Sequence, residues 1–162
     1  MPSEDLLDYL KTVNQTFYDQ IRVADQKAAY VFTFLIAILI WSSDMRQVFF
    51  WVNTPPAWSL RWILSALFAG SLIFALICAA LVILPREESG GVSLYWGAWP
   101  QAGNRLMRAD GTTDRSLVID EYKSNISCLA AICRRKYRFV RLAFRGLIAT
   151  ILCHILLAML GR

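Results

Sequence analysis

From Trp62 to Leu84 the chain carries no charged residue, and a helix that crosses a hydrocarbon core needs about 20 apolar residues, within a range of about 17–25. Residues 62–84 therefore read as a membrane span. Two shorter apolar runs accompany it, residues 28–43 and 146–160. Arg141 and Arg145 flank Leu142, Ala143 and Phe144. Arginine stems lie along lipid while the guanidinium reaches the headgroups, so the third span is expected over 140–160. The first span continues through Val48-Phe49-Phe50-Trp51-Val52 or leaves that stretch at the interface. The competing reading, buried helices of a soluble domain, fails on composition. The chain is 57% hydrophobic and 18% charged, against roughly 45–50% apolar in soluble domains, and no polar remainder is large enough to enclose three such helices.

Basic residues set the expected orientation. The segment from Pro85 to Arg145 holds eleven of the seventeen Lys and Arg, and the first 27 residues hold Lys11, Arg22 and Lys27. The connection between the first two spans holds Arg46 and the boundary residue Arg61. Positive-inside bias then places the N-terminus and the middle segment in the cytoplasm and Arg162 outside, in a multi-pass membrane protein. The first 27 residues are acidic and amphipathic, unlike a signal peptide with its basic start and short apolar core.

Ahead of the first span, Leu6, Leu10, Val13, Phe17, Ile21 and Ala24 recur at intervals of three and four, the signature of a helix with one apolar stripe. Ser3 suits its cap, and Glu4 and Asp5 suit the positive end of its dipole. Ahead of the third span, Ile119, Tyr122, Ile126, Leu129 and Cys133 recur in the same way, with Thr112 or Thr113 as cap and Asp114 in the first turn. The spacing predicts cytoplasmic helices over 3–27 and 113–139. No proline interrupts either on its way into lipid. Each has about 24–26 residues outside the bilayer, roughly 36–39 Å. Neither stays helical alone in water with a bare stripe, so the two are expected to pack in parallel, within or between chains.

Charges cluster where these helices meet lipid. The segment Ala24-Asp25-Gln26-Lys27-Ala28 sets an acid and a base two residues apart, and Arg134-Arg135-Lys136-Tyr137 repeats the design on the other helix. Continuing the second stripe from Leu129 and Cys133 brings up Lys136, and Asp25 lies at about the same depth. A plain Asp25–Lys136 salt bridge, or a lysine reaching lipid phosphate, explains these residues. So does an anionic ligand that competes for Lys27, Lys136 and the neighbouring arginines. Between the second span and the second cytoplasmic helix, residues 85–112 are broken by Pro85, Gly90, Gly91, Gly97, Pro100 and Gly103 and read as a loop. Leu94-Tyr95-Trp96-Gly97 within it reads as an interfacial anchor, or as an aromatic that stacks a base beside Arg86, Arg105 and Arg108.

The sequence carries no Gly-rich phosphate loop, nucleophile elbow or metal-ligand cluster, so neither an enzyme nor a metal site is expected. Cys78, Cys128, Cys133 and Cys153 have neither zinc nor redox spacing and read as small core residues. His154, in the third span, is expected to pack or hydrogen-bond across helices. In the second span Ser71, Ala75 and Ala79 form one small-residue face and Ala66 and Gly70 an adjacent one, which favours helix association.

Together these residues resemble one family, the small transmembrane effectors of bacterial Pycsar anti-phage systems. The resemblance rests on Ala24-Asp25-Gln26-Lys27-Ala28 entering the first span and on Leu84-Pro85-Arg86 leaving the second, followed by Leu94-Tyr95-Trp96-Gly97. Its third element is Ile132 to Tyr137 before the last span. It covers essentially the whole chain. It implies an activating ligand, cyclic UMP or cyclic CMP, made by a partner nucleotide cyclase, after which the effector compromises the inner membrane. No cofactor, metal or nucleic-acid partner is implied. Charge and position assign the ligand to Lys27, Lys136, Arg134, Arg135 and Trp96, with Asp25 as the resting-state partner of the lysines. The expectation is an all-α integral membrane protein with three transmembrane helices, a helical cytoplasmic bundle and homo-oligomerisation. A structural subunit anchoring a larger membrane complex, or a constitutive small ion channel, are the alternatives.

Overall fold

The structure is a computed structural model and describes residues 3–41, 46, 60–84 and 115–160. Among the described residues it is all-helical: α1 spans Ser3–Trp41, α2 Leu60–Ile83 and α3 Arg115–Leu160. All three are long and apolar enough to cross a membrane. The helix expected over 3–27 and the first span are one element, α1, and the helix expected over 113–139 and the last span are one element, α3. Neither contains a proline, whose ring and missing N–H would break the helical ladder. α2 starts two residues before the expected 62 and stops one before 84. α3 starts at Arg115, so the proposed caps Thr112 and Thr113, with Asp114, lie outside the described residues, as do the loop 85–112 and the continuation through Val48 to Val52.

Two compact units divide the chain: Met1–Val23 with Pro85–Arg135, and Ala24–Leu84 with Lys136–Arg162. In the first, α1 and α3 pack in parallel. Asn125 Nδ2 donates to Asn14 Oδ1 at 2.6 Å, and Arg115 reaches Glu4 at 3.7 Å; each pair is 111 residues apart, so the helices run side by side in one register. Leu10 and Leu129 are buried beside this seam. Asn125 is 4% exposed and occupies the seam position between Tyr122 and Leu129 that the stripe gave to Ile126, which is only partly buried. A polar pair in a helix seam lowers stability but fixes register, because slippage would bury an unsatisfied amide. The Glu4–Arg115 pair is largely exposed, and such pairs contribute about 0–1 kcal/mol.

The second unit packs the apolar part of α1 against α2 and the last part of α3. Its centre is built from Val31, Leu35, Phe68, Leu72, Ala75, Ala143 and their neighbours. α2 and α3 approach closely. A Cβ placed on Gly146 would lie 2.8 Å from Ala75 Cβ and 3.1 Å from its Cα, so glycine is what the contact admits. One turn away the Ser71 and Thr150 hydroxyls meet at 3.0 Å, and each also lies within reach of its own helix, at Phe68 O and Gly146 O. The small-residue face Ser71–Ala75 thus packs within the chain, and Ala79 is buried as well. The adjacent face stays open at Gly70, where an added Cβ would meet nothing within 4 Å. Arg61 Nη2 donates to Leu160 O at 2.9 Å, satisfying one of the carbonyls that a helix C-terminus leaves unpaired. His154 packs against Phe68, ring centroids 6.0 Å apart, with Nδ1 buried and unpartnered among the described residues. Cys78 and Cys153 are buried, Cys128 and Cys133 partly so, and all four are free thiols.

Candidate ligand site at the membrane boundary

Small residues bring the charged ends of the second unit together. Ala24 and Ala28 on α1 are fully buried against Val82 of α2 and Val140 of α3, with Tyr137 and Phe139 packed around them. Alanine at both α1 positions lets its backbone lie close to α3, so the intervening Asp25 reaches across. Lys136 Nζ donates to Asp25 Oδ1. The lysine side chain is 13% exposed and the aspartate 38%. The base is therefore largely withdrawn from water while its partner stays wet. Lys27, exposed, holds its ammonium 5.9 Å from the Tyr137 ring centroid, within cation–π range. The cluster thus presents two ammonium groups, one carboxylate and a tyrosine ring at the lipid boundary of the unit.

A hydrogen bond to a charged group contributes about 1.5–3 kcal/mol net, toward the lower end here because Asp25 is wet. The arrangement binds anions in principle: a phosphate facing Lys136 replaces one charge-assisted bond with another of similar strength, releasing the α1 carboxylate. Among the described residues no group of three or more His, Cys, Asp or Glu is placed to hold a metal ion.

Of the residues assigned from sequence, Asp25, Lys27 and Lys136 fall in this one unit, the first and last in direct contact. Arg134 and Arg135 lie on α3 in the other unit, both exposed. Trp96 lies outside the described residues. Tyr137 appeared in the sequence only as part of a motif, and its role as platform for Lys27 depends on spatial contact. Asn14 was missed because it sits next to Val13 in an otherwise conventional stripe.

A family model described as the Pycsar effector protein domain matches residues 9–161. The chain belongs to the Pycsar effector family. The match runs through both compact units and all three helices. It makes this all-helical membrane protein a membrane effector of anti-phage defence, a role that fits a non-enzymatic protein. No curated protein and no solved structure matches the chain.

Proposed function

We propose that this Pycsar effector is switched on by a cyclic pyrimidine mononucleotide, cyclic UMP or cyclic CMP, made by a partner cyclase. The ligand binds on the cytoplasmic side and the protein then impairs the integrity of the inner membrane. The observation that carries the reading is the Asp25–Lys136 bond in the boundary cluster of a chain whose family signals through cyclic nucleotides. The nucleotide phosphate takes Lys136 from Asp25, Lys27 adds charge and Tyr137 an aromatic surface; Arg134, Arg135 and Trp96 are the further candidate contacts. Freed from Lys136, α1 shifts against α3, and copies of the chain assemble in the disrupted membrane. The energetics are modest. A nucleotide with a 100-fold preference for the active arrangement shifts the equilibrium by about 2.7 kcal/mol, comparable to one or two charge-assisted hydrogen bonds.

The test is titration of the purified full chain with cyclic UMP and cyclic CMP, paired with dye release from liposomes that contain it. Saturable binding of one nucleotide, with release that follows occupancy, is expected. Release that is independent of both nucleotides would favour a constitutive channel. Absence of both binding and release would favour a structural anchor.

A further inference from the structure

One exposed face of α3 within the second unit changes character partway along. Arg138, Arg141 and Arg145 recur at intervals of three and four and are all exposed, and the same face continues as the exposed aliphatics Ile148, Leu152 and Ile155. Successive positions on this spacing stay within a narrow arc of the helix surface. Neither α1 nor α2 covers that arc.

Depth follows from length. A hydrocarbon core of about 30 Å takes up about 20 residues at 1.5 Å each, so a span that ends at Leu160 enters the core near Arg141. Arg138 then stands among headgroups, Arg141 at their inner edge and Arg145 about 6 Å inside, which is the reach of an arginine stem. Three guanidinium groups at that depth need anions. Among the described residues of the unit the acid is Asp25, already bonded to Lys136. The same face continues into Ile148, Leu152 and Ile155, all exposed, so its partner must combine an anionic group with apolar chains.

We propose that Arg138, Arg141 and Arg145 form a binding site for an anionic phospholipid, its phosphodiester bridged by the guanidinium groups and its chains lying along Ile148, Leu152 and Ile155. Arginine suits this role because its planar fork binds phosphate oxygens in pairs. The site is separate from the Asp25–Lys136 cluster and does not depend on the nucleotide reading. It fixes how deeply α3 sits in the leaflet at which it enters.

The full-length chain reconstituted in phosphatidylcholine vesicles tests this by the fraction of spin-labelled lipid immobilised at the protein surface. Each basic group near a membrane surface is worth about fivefold in attraction for anionic lipid. The parent should therefore select labelled phosphatidylglycerol over labelled phosphatidylcholine by about fivefold or more. The Arg138→Gln, Arg141→Gln, Arg145→Gln triple variant should fall to near equal selection, whereas lysine at all three positions should keep part of the preference. Should the triple variant fail to insert, Arg145→Gln alone should lower the selection measurably. Equal selection by the parent, or undiminished selection by an inserted glutamine variant, overturns the proposal. Displacement of phosphatidylglycerol by free cyclic UMP or cyclic CMP also overturns it, assigning the arginines to the nucleotide instead.

Discussion

Lys136 tests the proposed switch most directly, because one side chain is asked both to hold α1 at rest and to receive the ligand. Lys136→Ala removes the phosphate's charge-assisted bond, worth about 1.5–3 kcal/mol, together with the resting Asp25 bond that it replaces, so nucleotide affinity should fall by less than the roughly 10- to 150-fold that the ligand bond alone would give. The folded protein should survive, since the aspartate left behind is 38% exposed and water can solvate it. Calorimetric titration of the inserted variant should show the weakened binding. Binding and dye release like the parent's would leave Lys136 as a structural lysine. Cys133 is governed by desolvation: burial pushes its thiol above the ordinary 9.0, and only the thiolate is nucleophilic. Its alkylation at pH 7 should be slower than that of a free cysteine, and the rate should keep climbing with pH beyond the point where the free thiol levels off. Mass spectrometry after timed iodoacetamide treatment measures this, and equal rates would mean that Cys133 opens readily to water.

Among the elements, the α2–α3 contact is set by one hydrogen atom. Replacing it with a methyl group, in Gly146→Ala, places a carbon 2.8 Å from Ala75 Cβ, and overpacking of this kind costs about 1–3 kcal/mol. Thermal unfolding in detergent should show the loss, and Ala75→Gly in the same chain should restore part of it, because the contacts at 3.1 and 3.3 Å to the Ala75 backbone remain. No restoration would mean that the strain lies elsewhere. The helices themselves were legible from residue order, because apolar spacing and the absence of proline carry each of α1 and α3 unbroken from stripe to span. The Asp25–Lys136 pair was legible too, as one of the open readings, since both charges sit at about the same depth ahead of their spans. Which residue fills the α3 seam was not. Between Tyr122 and Leu129, a step of three then four reaches Asn125 and a step of four then three reaches Ile126, and the choice rests on Asn14 on another helix. Nor could spacing say whether Ser71, Ala75 and Ala79 would meet a helix of the same chain or of another copy. In this fold Ser71 and Ala75 meet α3, and the Gly70 face is what remains open for association.

At the scale of the whole molecule, three helices are long and apolar enough to cross a membrane; three crossings would leave Ser3 and Leu160 on opposite sides, and positive-inside bias predicts the side. A reporter fused after Arg162 should therefore score as periplasmic, and a cytoplasmic score would remove one of the three crossings. Signal transfer poses the larger question, because the proposed ligand cluster must act on the bilayer through a continuous backbone. α1 is one helix from Ser3 to Trp41, and the boundary between the compact units falls within it, after Val23. Val23 and Gln26 are exposed, so glycine at both should soften the helix by about 0.3–0.7 kcal/mol per position relative to the residues replaced while leaving Ala24, Asp25, Lys27 and Ala28 in place. If α1 moves as a stiff element when Asp25 is released, Val23→Gly with Gln26→Gly should bind nucleotide with parental affinity yet release less dye per bound ligand. The measurement is liposome dye release at saturating nucleotide, with occupancy followed in parallel. Equal release from the two proteins would mean that α1 does not carry the motion, and that the bilayer responds instead to a change confined to α2 and α3.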